Sequence, residues 1–234
     1  MSALRALALL VPIASCTSTQ QATVLQFGAM RQVMREGQVE PRVRLSDLDI
    51  APSTIGIGAV AGLQGEITIV DGVAHIATAP DLSMRSEPAS IDAQATLLTV
   101  ATPTEVEELT CAEELDETRL SQLLRAHAAN GFATVDILGV AESLSMHVAR
   151  GACPHGVTTK DTEPLRYSAQ PGDRLRLVGF YAPDRAGTLT HHGTNFHLHA
   201  TQVGKNGAPA SGHVDAFVLR SGAIVRIGRC SPPR

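Results

Sequence analysis

Apolar residues recur three and four positions apart from Thr23 to Glu36 (Val24, Phe27, Met30, Val33, Met34), which predicts a helix stopped at Arg35-Glu36-Gly37. The pattern then changes. A glycine-rich stretch from Ile55 to Gly65 leads into Ile67-Thr68-Ile69-Val70, a β-rich run that turns at Asp71-Gly72 into Val73 to Ala77. An Asp-Gly pair between two such runs predicts a hairpin. Residues Ala79 to Ile91 lack a period and predict a loop, whereas Ala95 to Ala101 predicts an apolar strand. Thr118 to Ala129 predicts a helix with Leu120, Leu123 and Leu124 on one face, and Phe132–Val140 and Leu144–Val148 predict paired strands around Gly139. The low-periodicity stretch 150–173 marks either a long loop or a sub-boundary. From Arg174 the pattern becomes a β-meander (Arg174–Gly179, Thr194–Val203, His213–Leu219, Ala223–Ile227), with turn residues at Lys205-Asn206-Gly207 and Ser221-Gly222. The class is α+β: mixed or antiparallel sheets, a few helices, and a C-terminal β-meander.

Composition narrows the function. Hydrophobic residues make up 44% and charged residues 18%, enough apolar surface for a buried core. Aromatics are only 3%, Trp is absent and the formal charge is -4, so a base-stacking surface or a basic field for nucleic acid is excluded as an expectation. The N-terminus has its own logic. Arg5 precedes the apolar run Ala6 to Ile13, which is too short to span a bilayer and ends in Ile13-Ala14-Ser15-Cys16. That pattern resembles a lipoprotein signal over 1–16, with Cys16 lipidated, a polar tether at 17–22 and the folded domain at 23–234. An exported protein held to a membrane only through its N-terminal lipid is the expectation.

With Cys16 assigned to lipid, Cys111, Cys153 and Cys230 remain, an odd number with no CxxC pair. A thiolate metal site therefore has no support. The histidines do. In Phe196-His197-Leu198-His199 the two imidazoles share one face of a strand while Leu198 points the other way. An antiparallel return through Gly212-His213-Val214 can bring a third imidazole opposite them. Three neutral imidazoles with an open position suit a catalytic divalent ion, zinc above all. The adjacent His191-His192 predict diverging side chains on a polar loop, His155 a solvated loop residue, and His75 and His127 structural or surface positions.

Three blocks in chain order resemble the acetolactate decarboxylase family: Gly58 to Glu66 with Asp71-Gly72, Asn130-Gly131-Phe132-Ala133 running to Gly139, and Gly179 to Pro183 followed by Gly187, His197-Leu198-His199 and Gly212-His213-Val214. The resemblance implies that His197, His199 and His213 ligate the metal and that Glu66 is the active-site glutamate. It sets His147 where the family has a catalytic arginine, with Arg150 as the alternative, and Ala59 where the family has threonine. A carboxylate that the family carries well beyond its last histidine has no evident counterpart. The implied reaction converts 2-acetolactate, or a similar 2-hydroxy-3-oxo acid, to acetoin and carbon dioxide, with the metal stabilising the enediolate. A homodimer is the candidate assembly. Two alternatives differ in class. One is a non-catalytic metal-binding, oligomerising module of the type found with AT-hooks, and the other is a degenerate decarboxylase with another substrate.

Overall fold

The computed structural model describes residues 22–128, 131–151, 159–191, 193–203 and 209–231. Cys16, Cys153, His155, His192 and the expected turn at Lys205-Asn206-Gly207 lie outside them. Among the described residues the chain opens with β1 (Ala22–Thr23) and then builds a seven-stranded sheet. That sheet takes β2 (Leu25–Phe27), β3 (Val43–Arg44), β4 (Ile55–Val60), β5 (Glu66–Val70), β6 (Val73–Thr78), β7 (Arg85–Pro88) and β8 (Gln94–Ala101). Its order is β2-β8-β4-β5-β6-β7, with β3 also on β8. A nine-stranded sheet combines β1 with β9 (Val106–Thr110), β10 (Leu115–Asp116), β11 (Ala133–Val148), β12 (Leu165–Ala169), β13 (Arg174–Tyr181), β14 (Phe196–Val203), β15 (Pro209–Leu219) and β16 (Ile224–Ser231). Two helices accompany them, α1 (Met30–Met34) and α2 (Glu117–His127), the second capped by the Asp116 carboxylate accepting from the Arg119 N–H. This is the expected α+β class. No described helix is long and apolar enough to cross a membrane.

Alternation along the strands creates two packing faces. In the large sheet β11, β13, β14 and β15 close a circuit, because β15 pairs back onto the second half of β11. Ile137, Leu177, Leu198 and Phe217 point into one buried apolar cluster. Their neighbours Val178 and Phe180 point the other way, onto Ile55 and Ile57 of β4. Burying side chains of this size contributes roughly 1.5–3 kcal/mol each, and the second cluster joins the two sheets. The candidate site lies in that seam.

Five expectations need correcting. The helix expected over Thr23–Glu36 is only Met30–Met34, because Leu25–Phe27 is a strand on β8, with Phe27 opposite Leu98. The apolar spacing of Val24 and Phe27 suits either structure, and tertiary pairing decides for the strand. The expected loop at Ala79–Ile91 contains β7, which pairs with β6 through Ser86 opposite Ala77. The strands expected at Phe132–Val140 and Leu144–Val148 are not a hairpin: from Ala133 onward both belong to one 16-residue strand, β11. Register shifts at Ala141/Ser143 and Ser145/Met146 let it leave β13 and β16 and continue between β15 and β12. The C-terminal meander holds for β13-β14-β15, but β16 crosses over to pair with the first half of β11 instead of with β15. In the 150–173 stretch, Leu165–Ala169 forms β12.

Candidate metal centre

Strand register brings the histidines together. His199 of β14 lies directly opposite His213 of β15, and His213 lies opposite His147 of β11, a row of three imidazoles across three adjacent strands. His197, two residues before His199, occupies the same face, while Leu198 faces the apolar cluster inside the circuit. The row depends on Gly212. A Cβ there would stand 2.6 Å from the His147 carbonyl oxygen, so only glycine lets β15 approach β11 this closely.

His197, His199 and His213 are all buried, and one ring nitrogen from each lies within 4.8 Å of the others. Ring centres are separated by 5.5 Å (His197 to His199), 5.1 Å (His197 to His213) and 5.7 Å (His199 to His213). Burial first, and then the neighbouring imidazoles, pushes each ring well below the usual histidine range, leaving neutral electron-pair donors. The outer sides of two rings are held. His197 is hydrogen-bonded to the backbone of Leu189, and His199 Nδ1 lies 3.0 Å from Thr68 Oγ1. His199 Nε2 is different. It is buried with no hydrogen-bond partner among the described residues, and Glu66 Oε2 at 3.7 Å is too far to supply one. An unpartnered, buried lone pair beside two other neutral imidazoles fits a divalent cation.

Glu66 opens β5, two residues before Thr68, so both side chains face the histidines. The turn before it requires Gly65 at φ 137°, where a Cβ would meet the Ala77 carbonyl oxygen at 2.4 Å. Burial raises the Glu66 carboxyl to about 7, a shift that nearby His147 and the hydrogen bond from the Ala149 N–H (3.0 Å, to Oε1) only partly oppose. His147 has its ring centre 4.9 Å from that of His213, and its Nδ1 is 2.8 Å from Asp215 Oδ1. Asp215 also accepts from Arg166 Nη1 at 2.9 Å. Burial alone would push the Asp215 carboxyl up, but the His147 hydrogen bond and the Arg166 charge hold it below the usual range. Arg150 lies beside the site, yet its guanidinium donates to the carbonyls of Ala79 (2.8 Å), Lys160 and Glu163 (both 3.2 Å).

Two residues that alternation alone did not single out complete the surroundings. Asp215 falls in the bulge of β15, between Val214 opposite Met146 and Ala216 opposite Ser145. His191 lies on a loop, as expected, but its ring stands edge-on to the cluster, its centre 4.8 Å from His213 and 6.1 Å from His197. A short bridge from Ala186 to Thr190 folds its loop back onto the site, which strand periodicity does not encode. His127, by contrast, lies away from the cluster and pairs with Glu107 at 3.0 Å. A cavity of about 390 Å³ opens beside the cluster, with Glu66, His147, His191, His197 and His213 on its polar side.

Such a two-sheet α+β protein, with three converging imidazoles and a buried carboxylate in the seam, defines a class with a ready-made cation site. A family model described as alpha-acetolactate decarboxylase matches residues 24–231, and the chain belongs to that family. Among solved structures it is similar to the alpha-acetolactate decarboxylase of Bacillus subtilis strain 168, at 16% identity and a TM-score of 0.70, over 91% of this chain and 87% of that one. The acetolactate decarboxylase of Bacillus subtilis subspecies spizizenii aligns at 16% identity and a TM-score of 0.69, over 91% and 88%. A Staphylococcus aureus protein of unknown function, described as similar to alpha-acetolactate decarboxylase, aligns at 18% identity and a TM-score of 0.69, also over 91% and 88%. At these identities the likeness is one of fold. No curated protein matches the sequence significantly.

Proposed function

We propose that the protein is a metal-dependent carboxy-lyase that decarboxylates 2-acetolactate or a related 2-hydroxy-3-oxo acid. One observation carries this reading: three neutral, buried imidazoles converge within 4.8 Å beside a buried carboxylate and an open cavity. His197, His199 and His213 would hold one divalent ion, and an all-imidazole donor set suits zinc. When bound, the ion supplies Lewis acidity that offsets the negative charge developing on substrate oxygens as carbon dioxide leaves.

The remaining work falls to the chain's own groups. Glu66, with its carboxyl near 7, exchanges a proton at little cost at neutral pH. Its Oε1 is held by the Ala149 N–H, which leaves Oε2 on the histidine side to carry the proton destined for the carbon that loses carbon dioxide. His147 directs Nδ1 to Asp215, which fixes the ring and leaves Nε2 for the cavity that the ring borders. Arg150 braces the turn at Lys160–Glu163 in this reading and takes no part in proton transfer.

The test is acetoin and carbon dioxide release from 2-acetolactate by purified, zinc-loaded protein, with metal content measured on the same sample. Turnover that drops by about 10²-fold or more in Glu66→Gln, with metal retained, supports the assignment. Stoichiometric metal with no turnover on any 2-hydroxy-3-oxo acid would overturn it in favour of a degenerate or non-catalytic module.

A further inference from the structure

One side of the cavity beside the histidine cluster is apolar. Met30 and Val33 from α1, Ala59 from β4, Leu63 from the turn after it and Leu97 from β8 form one contiguous cluster, each more than nine-tenths buried. All five border the cavity, and half-exposed Met34 stands at its edge. The wall adjoins the chemistry directly. Leu97, Ala59 and Glu66 are successive cross-strand neighbours on β8, β4 and β5, so the surface passes from aliphatic to carboxylate within one row.

2-Acetolactate is a compact molecule whose hydroxyl, ketone and carboxylate would all be engaged on the polar side. The cavity of about 390 Å³ falls in the range of roughly 300–1,000 Å³ that takes ligands larger than this molecule. An alkyl chain laid along these side chains would cover the small apolar area that they still present to the cavity.

We propose that the wall receives an alkyl substituent longer than methyl, so that the preferred substrate class is a 2-hydroxy-3-oxo acid with an extended aliphatic chain. This rests on the decarboxylase reading and adds to it the identity of the tail. The chemistry is unchanged and balanced. The bond from C2 to the carboxylate carbon breaks, its electron pair moves toward the C3 ketone, one proton is taken up, and the products are carbon dioxide and the corresponding α-hydroxyketone.

The experiment measures kcat/KM for carbon dioxide release by the zinc-loaded full chain along a series of 2-hydroxy-2-methyl-3-oxo acids whose 3-oxo chain lengthens from methyl. Each of the first few methylenes should raise kcat/KM by about fourfold, the transfer value of one buried methylene. Met34→Trp, a change at a half-exposed position with little risk to folding, should narrow the cavity and lower the long-to-short ratio by about tenfold. A flat or falling series with 2-acetolactate still turned over would overturn the long-chain proposal and leave the decarboxylase reading standing. No turnover of any member would overturn both.

Discussion

The Nδ1 atom of His199 lies 3.0 Å from the hydroxyl of Thr68, whose oxygen is also 3.0 Å from that of Ser211. A cation on Nε2 requires Nδ1 to carry the ring proton, and Thr68, together with the Ile67 backbone, offers that proton an acceptor and helps to fix the ring's orientation. Thr68→Val keeps the shape and removes the bond. Zinc affinity, measured by competition titration, should fall about 10- to 100-fold, and the buried Ser211 hydroxyl and His199 nitrogen left behind should cost about 1–3 kcal/mol of stability. Unchanged affinity would show that the ring is held without Thr68, by the Ile67 backbone and by packing.

Metal binding should also be visible as stability. A ligand that binds only the folded state at a hundred times its Kd adds about 2.7 kcal/mol, equivalent to roughly 5–10 °C in Tm for a domain of this size. Calorimetry with and without zinc should show that shift in the wild type. His213→Ala, which removes the imidazole that lies opposite both His199 and His147, should abolish it. A His213→Ala protein that still gains the full shift would place the ion elsewhere.

A second long-range contact ties the sheets together away from the site. Arg176 of β13 donates from Nε and Nη2 to Asp136 (2.8 and 3.0 Å) and from Nη1 and Nη2 to Asp71, at the β5–β6 turn of the other sheet. Arg176→Met should cost about 1–3 kcal/mol in urea unfolding at neutral pH, the usual value of hydrogen bonds to charged groups. The sign of the pH effect follows from Asp71, whose carboxyl the Arg176 hydrogen bond holds below the usual range. A depressed carboxyl contributes stability above its unfolded value, near 3.9, and loses it as pH falls through the folded value. The acid limb below about pH 4 should therefore be shallower in Arg176→Met, and only slightly so, because Asp71 is largely exposed and screened. An identical acid limb would mean that Asp71 carries none of the acid sensitivity.

What was legible in the sequence was local. Asp71-Gly72 marks a turn by its own backbone preference, and the alternation in Phe196–His199 sets two imidazoles on one face whatever the sheet around them. The parts that were not legible depend on partners distant in sequence. Residues 25–27 have apolar spacing that suits a helix, and only β8 makes them a strand. Gly139 looks like a turn residue, yet it lies inside β11, paired with Leu175. His191 reaches the cluster through a loop bridge, and Asp215 reaches His147 through a bulge, and neither device leaves a period in the chain.

That bulge supports the most specific expectation. Asp215 binds His147 Nδ1 with one oxygen and Arg166 with the other, so it sets the orientation of the imidazole that borders the cavity. Asp215→Asn retains the volume but not the charge, and an amide can present either a donor or an acceptor to the ring. His147 should lose its single tautomer, which nitrogen-15 chemical shifts of the imidazole report without any turnover. If His147 acts in proton transfer, kcat should fall by about 10²-fold, the lower end for an acid–base group, while zinc affinity changes little because no ligand is touched. Arg166→Ala should do much less, since that side chain is mostly exposed. A variant with an unaltered His147 tautomer and unaltered kcat would reduce Asp215 to a surface ion pair and return the search for the proton donor to Glu66 alone.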